Sequence, residues 1–129
     1  YLAMIHEYGC KIQVTDKMRA YLHRHGLHLA DSTEYITIPE RAFLRNGYDE
    51  NRDEVLRTAK TALDAVMVGS IEPEKYLEMI GLLLSSAIKD YAVSLNSPPN
   101  HPYTVEQKGS SNPLVDTGDM IQSITYEVH

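Results

Sequence analysis

Asp116, Thr117 and Gly118 form the one short motif in this chain whose residue types could support catalysis. In aspartic proteases an Asp-Thr-Gly triplet lies within a β-rich fold, and two such loops place their carboxylates together so that they share a proton. Here two long helical patterns precede the triplet and 11 residues follow Gly118, so the β-rich context is missing. We therefore predict that Asp116 is a structural helix cap, with Thr117 as the alternative cap.

Histidines are the second group that could carry chemistry. His23, His25 and His28 are closely spaced, and His6 precedes Glu7. A structural zinc site needs four ligands at suitable spacing. His23 and His25 point to different sides of a helix, and no second ligand pair or partner cysteine is present, so we predict no metal site. The sequence also contains no Gly-rich phosphate loop, nucleophile elbow or Ser/His/Asp spacing, which predicts no cofactor and no catalytic residue.

Composition limits the classes of protein that remain. With 129 residues and 43% hydrophobic side chains, the chain is predicted to form one domain over residues 1–129. No apolar run approaches the roughly 20 residues that span a bilayer, and the start lacks the order of a signal peptide, so a soluble protein without a membrane partner is expected. The single cysteine, Cys10, alternates with polar residues and is interpreted as a small buried strand residue.

Charge is unevenly distributed along the chain, whose net charge is -6. Residues 1–45 contain six basic and five acidic side chains, whereas residues 46–129 contain six and thirteen. An acidic body without a basic cluster repels a phosphate backbone, so direct binding of nucleic acid is not expected. Protein partners are favoured.

The first third of the chain has the pattern of short strands around one helix. Residues 9–15 alternate as a strand does, Thr15 or Asp16 can cap a following helix, and Gly26 can end it. Residues 27–29 and 35–38 have the apolar and β-branched content of strands, and Pro39 closes the second one or places it at a sheet edge.

Two long amphipathic helices and a polar loop follow. A capping box at Asn51 predicts a helix over residues 51–68, and Pro73 begins another that extends to about residue 95. Gly81 within the second helix predicts the close approach of another backbone. Residues 96–112 are predicted to form a long loop in which only residues 103–107 can be extended, and residues 123–128 a final strand. The predicted fold is α+β, with a mainly antiparallel sheet packed against the two helices.

The segment from Thr37 to Arg45 combines a strand-ending proline with the only phenylalanine of the chain. In one interpretation Phe43 and Leu44 anchor the segment in the core while Arg41 and Arg45 are solvated. In the other interpretation Arg41, Phe43 and Arg45 form an interface, since arginine beside an aromatic anchor is common in protein–protein interfaces. The two remain open, and Lys108 in the long loop is a further interface candidate because it can reach an acidic neighbour.

Three segments together resemble a group of tailed-bacteriophage and prophage proteins. These segments are residues 6–9 (His-Glu-Tyr-Gly), residues 38–45 (Ile-Pro-Glu-Arg-Ala-Phe-Leu-Arg) and residues 108–124. The group comprises virion-morphogenesis, tail-completion and neck proteins of the head–tail junction, including Mu-like members. The matching positions are Glu7, Gly9, Pro39, Arg41, Phe43, Leu44, Leu114, Asp116, Thr117, Gly118 and Ser123.

The resemblance implies a non-enzymatic α+β subunit. Such a subunit forms a ring with copies of itself and docks between the head connector and the tail tube, so it is expected in the virion and is assembled in the cytoplasm of the bacterial host. In many members the Asp-Thr-Gly segment precedes the other two, whereas here it comes last. A protein whose two chain ends lie close together tolerates such a change of order. The alternatives are a bacterial protein-interaction domain without a virion role and, least favoured, an aspartic protease.

Overall fold

The computed structural model describes all 129 residues, and it contains six helices and two strands. In chain order these are α1 (Leu2–Tyr8), β1 (Cys10–Gln13), α2 (Asp16–Arg24), β2 (Tyr35–Ile38), α3 (Phe43–Met67), α4 (Pro73–Ser94), α5 (Pro102–Lys108) and α6 (Asp119–Gln122). The α+β class is confirmed, and helices account for most of the ordered structure.

The two long helices, α3 and α4, pack against each other as an antiparallel hairpin. Gly47 allows their close approach, since a β-carbon on this residue would lie 3.2 Å from the Cα atom of Ile88. The prediction for α4 is confirmed, because the helix runs from Pro73 to Ser94. The prediction for α3 was too short by eight residues: the helix begins at Phe43 and passes through the predicted start at Asn51.

The sheet consists of β1 and β2 alone, paired antiparallel with Cys10 opposite Ile38. Both strands were predicted, but the larger sheet that was to cover the helices is absent. Residues 103–107 lie in helix α5, and residues 27–29 and 123–128 form no strand. The principal packing is therefore helix on helix, with the small sheet beside it.

Helix α2 follows β1 as the sequence predicts. The Thr15 hydroxyl accepts a hydrogen bond from the N–H of Met18 at 3.2 Å, which is the expected N-terminal cap. The helix ends at Arg24, and Gly26 then adopts a left-handed conformation with φ of 89°, which glycine tolerates without strain.

The core is small and lies near the base of the helical hairpin. Only 11 of the 129 residues are buried, and the buried hydrophobic cluster is Phe43, Ala92, Leu114 and Ile121. These four residues come from α3, α4, the segment after α5, and α6. The segment that follows the predicted loop of residues 96–112 thus closes the core.

Gly81 of α4 is approached by a side chain, not by the backbone that we predicted. A β-carbon at this position would overlap the Tyr126 ring. The missing side chain of Gly81 thus provides the space in which the end of the chain lies on α4. No helix in the structure combines the length and apolar character needed to cross a bilayer.

Candidate assembly surface

Glu7 connects α1 to the beginning of α3. Its carboxylate is buried and accepts hydrogen bonds from the N–H groups of Leu44 (2.9 Å) and Arg45 (3.1 Å). Both N–H groups belong to the first turn of α3, where they have no partner within the helix. The carboxylate thus caps α3 and also complements the positive end of its dipole.

Gly9 and Pro39 hold the chain segments beside this cap. Gly9 has φ of 67°, and a β-carbon there would lie 2.7 Å from the N atom of Glu40 and 2.8 Å from the O atom of Ile38. Any larger residue would force the two segments apart. Two residues after Pro39, the N–H of Arg41 donates to the O atom of His6 at 2.8 Å. The residues Glu7, Gly9 and Pro39, which carry the resemblance, therefore meet at one structural junction.

Arg41 is buried and secures the loop that follows α4. Its guanidinium donates to the O atom of Pro98 at 3.1 Å and to Oδ1 of Asn100 at 3.0 Å. It also lies 3.1 Å from Nδ1 of His6. Because a guanidinium has no acceptor, Nδ1 of His6 must be unprotonated in this contact. Arg41 is thus a structural clamp, and the interface interpretation of this residue is corrected.

The burial of His6 beside Arg41 makes the stability of the fold depend on pH. Burial, then the positive charges of Arg41 and Lys108, hold the pKa of His6 below its ordinary value of 6.5. The unfolded chain therefore binds the proton more readily. The corresponding stability is fully present above pH 6.5 and decreases as the pH falls through 6.5 towards the lowered pKa.

We expect His6→Asn, which can retain an acceptor but cannot titrate, to reduce the loss of stability on acidification. Urea unfolding followed by circular dichroism at about pH 7.5 and about pH 5.5 measures this loss. His129→Asn, which changes an exposed histidine, is the matched control and should keep the parent's pH dependence. An unchanged pH dependence in His6→Asn would contradict the role assigned to His6.

Phe43 and Arg45 have different environments. The Phe43 side chain is completely buried in the core, so the interface interpretation is wrong for this residue. Arg45 is half exposed and forms ion pairs with Glu7 at 2.9 Å and Glu40 at 2.6 Å. These hydrogen bonds raise the pKa of Arg45 above its ordinary value. Arg45 remains at the surface, where its guanidinium lies over the Tyr8 ring at 4.8 Å.

Lys108 lies at the end of α5 and contacts its own chain. Its Nζ donates to the O atom of Asn112 at 3.0 Å, and burial lowers its pKa. Asn112 in turn accepts hydrogen bonds at Oδ1 from the N–H groups of Leu114 and Val115. The loop is therefore held by local contacts, and in this conformation Lys108 does not extend towards a neighbour.

The Asp-Thr-Gly segment leads into the short helix α6. Gly118 occupies the cap position with φ of 90°, and no side chain caps the helix. Asp116 is exposed, whereas the Thr117 hydroxyl donates to Oδ2 of Asp119 at 2.7 Å. The prediction that Asp116 caps α6 is therefore wrong. Ser123 follows as the C-cap, and its hydroxyl donates to the O atom of Met120.

Since Asp116 makes no capping contact, Asp116→Ala should change the free energy of unfolding by less than about 0.5 kcal/mol. Thr117→Ala removes the hydroxyl that donates to Asp119 and also accepts from its N–H, and it should cost more, on the order of 1 kcal/mol. Thermal unfolding of both variants makes the comparison. If Asp116→Ala lost more stability than Thr117→Ala, Asp116 would have to be the cap of α6 after all.

The histidines of α2 and its C-terminal end contact one another and the backbone. The rings of His23 and His28 meet edge to face with centroids 4.3 Å apart, and Nδ1 of His25 lies 2.8 Å from the O atom of Tyr21. No group of three or more His, Cys, Asp or Glu side chains in the structure is arranged to hold a metal ion.

The far part of the helical hairpin, residues 56–84, which we call the arm, carries several large apolar side chains that the rest of the chain leaves exposed. No residue of the arm is buried. Leu56, Leu63 and Met67 are spaced by seven and four residues, so they form one stripe on the outer face of α3. Their exposed fractions are 54%, 43% and 78%, and exposed Val68, Leu77 and Leu82 lie elsewhere on the arm.

A surface groove lies between α3 and α4 nearer the core. It has a volume of about 490 Å³, and its lining includes three carboxylates, those of Glu50, Glu54 and Asp90. Apolar contributions come from Val55, Leu83 and Tyr91. The chain thus presents an apolar arm adjoining an acidic groove.

Comparisons with known proteins found no match, whether to protein-family models, to curated proteins or to solved structures. The functional inference therefore depends on the surfaces of this chain together with its resemblance in sequence. The arm could not be predicted from periodicity, because helical spacing identifies apolar positions but does not show which of them another element covers. In the structure Val55 is buried, whereas Leu56 and Leu63 of the same helix are exposed.

Proposed function

We propose that this chain is a structural subunit of a phage or prophage virion at the head–tail junction, in tail completion or in the neck. It acts without catalysis, by assembling with copies of itself and docking to the head connector and the tail tube. The observation that carries the proposal is the arm, residues 56–84, which presents large apolar side chains and has no buried residue. Apolar patches of this kind are typical of protein–protein contacts.

The charge distribution supports contact between different surfaces of two copies. Residues 1–45 carry one more basic than acidic side chain, whereas residues 46–129 carry seven more acidic than basic ones. Pairing unlike halves is electrostatically favourable, while pairing two acidic bodies is not. Contacts of the head-to-tail type close into a ring when the rotation between neighbours permits. A ring is the assembly that the resemblance to neck and tail-completion proteins also implies.

The construction of the junction between α1 and α3 supports a subunit that must keep its shape. Glu7 caps α3 and Arg41 holds the loop after α4, so the residues of the resemblance fix the base from which the arm extends. A rigid base lowers the entropy that is lost when the arm is ordered in an assembly. These residues therefore act in the proposed function through the position of the arm.

A bacterial protein-interaction domain without a virion role is the second candidate. The same arm and the acidic groove at Glu50, Glu54 and Asp90 would suit one copy of a partner with basic and apolar side chains. The two candidates differ in self-association, since an interaction domain binds its partner as a single chain. The assembly state of the purified protein therefore distinguishes them.

Negative-stain electron microscopy of the purified protein at several concentrations tests the proposal. We expect closed rings of uniform diameter. Samples that contain small particles alone, at the highest concentration that remains in solution, would favour the interaction domain. The Thr58→Glu/Thr61→Glu variant adds charge to α3 away from the stripe of Leu56, Leu63 and Met67, and it is expected to form the same rings as the parent.

A further inference from the structure

The end of the chain lies on α4 but has no strand partner. Its sequence, Ile-Thr-Tyr-Glu-Val over residues 124–128, has the β-branched and aromatic content of a strand. Ile124 packs against the core, and the Tyr126 ring lies on Gly81. The N–H of Ile124 donates to the O atom of Ile121, and residues 125–129 form no backbone hydrogen bond within the chain. Side chains therefore hold this segment in place while its backbone groups stay unpaired.

The small sheet has unpaired edges that match this segment. The N–H of Val14 donates to the O atom of Glu34 at 2.8 Å, and antiparallel partners alternate between bonded and non-bonded pairs. By this alternation, the backbone groups of Lys11 and Gln13 point away from β2. Those of Tyr35 and Thr37 point away from β1, on the opposite edge. Because a two-stranded sheet is marginally stable by itself, an additional strand would stabilise it.

Charge favours the β1 edge. Lys11 lies within β1 and Lys17 follows in α2, whereas Glu34 and Glu40 flank β2. The segment at the chain end carries Glu127, which is exposed. Beside β1 this carboxylate would meet basic side chains, and beside β2 it would meet acidic ones. Opposite charges on adjacent strands stabilise a sheet, and like charges destabilise it.

The alternation of apolar and polar residues also matches β1. Cys10 and Ile12 are half-buried on one face of the sheet, and Lys11 and Gln13 are exposed on the other. In residues 124–128, Ile124, Tyr126 and Val128 alternate with Thr125 and Glu127. A strand with this pattern can pair with β1 so that apolar side chains share one face and polar side chains the other, which is the condition that specifies register.

We propose that residues 124–128 of one copy pair with the β1 edge of a neighbouring copy and form a third strand of its sheet. The inference rests on the proposed self-assembly and identifies a contact through which it occurs. The two surfaces belong to different parts of the chain, so each copy offers one of them to each of two neighbours. Such a contact repeats from copy to copy and can close into a ring.

Disulfide formation between two separately purified proteins tests this contact. Both carry Cys10→Ser; one adds Lys11→Cys or Gln13→Cys, and the other adds Thr125→Cys or Glu127→Cys with a mass tag. Paired strands bring Cα atoms to about 4.5–5.5 Å, within the range of a disulfide. After mixing and mild oxidation, a non-reducing gel should show the mixed dimer in at least one of the four combinations. In the control, the first protein carries Thr37→Cys, on the β2 edge, in place of Lys11→Cys.

The expected yield of mixed dimer is at least tenfold above that of the Thr37→Cys control. Equal yields from the two edges, or no mixed dimer in any combination, would overturn the strand pairing. Light scattering on the same mixtures before oxidation separates this result from the proposed function. If the mixtures contain assemblies but no crosslink to β1 forms, the proposed self-assembly stands and the strand contact is rejected. If the mixtures contain monomers alone, both proposals are rejected.

Discussion

Glu7→Ala should lower the free energy of unfolding by about 3 kcal/mol, because it removes the cap of α3 together with charge-assisted hydrogen bonds in a buried position. The parent carboxylate accepts from the N–H groups of Leu44 and Arg45 and from Nε of Arg45. Without it, the first N–H groups of a helix of 25 residues lose their acceptor. Urea unfolding followed by circular dichroism at one fixed protein concentration gives the difference.

The matched control is Glu40→Ala. Glu40 pairs with the same guanidinium as Glu7, at 2.6 Å, but its side chain is 55% exposed and caps no backbone group. Exposed ion pairs contribute little to stability, so this variant should unfold close to the parent. Equal losses in the two variants would show that the ion pair with Arg45, and not the cap, is what matters at Glu7.

The double variant Leu63→Glu/Met67→Glu should weaken self-association on the order of 100-fold, because assembly would bury carboxylates without partners. Both side chains are exposed in the single chain, so its unfolding should change by less than about 0.5 kcal/mol. Sedimentation velocity over a concentration series measures the association. Thermal unfolding in the dilute, dissociated state confirms that the fold is kept.

Thr58→Glu/Thr61→Glu is the control for the arm variant. It places the same two charges on exposed positions of the same part of α3, away from the stripe of Leu56, Leu63 and Met67. We expect association close to that of the parent. If both double variants dissociate equally, added charge on the arm is responsible and the stripe is not the contact surface.

Local sequence signals predicted the elements whose ends are determined by nearby residues. Thr15 caps α2 and Pro73 begins α4 as expected. Helix α3 begins earlier than predicted because its cap, Glu7, is 37 residues from Leu44 in sequence. Such a contact leaves no local pattern. The apolar periodicity of α3 also could not predict that Leu56 and Leu63 are exposed. An apolar stripe that packs on α4 and one that faces outward have the same spacing in the sequence.

Strand-like composition was misleading where no partner strand was available. Residues 103–107 form part of α5, because Pro102 begins the helix and the ring of His101 accepts from the N–H of Tyr103. Residues 123–128 have strand composition, but they lie on α4 without a neighbour in the sheet. In the same way Asp116 has the residue type of a cap, yet Gly118 occupies that position. Composition indicates a tendency, and tertiary contacts decide whether it is satisfied.

The mass of the purified protein in solution tests the central claim most directly. Multi-angle light scattering coupled to size exclusion should give one discrete species whose mass is a whole multiple, greater than two, of the 14.6 kDa chain. Leu63→Glu/Met67→Glu should shift that species towards the mass of the single chain. A mass of 14.6 kDa for the parent at every concentration would contradict self-assembly through the arm.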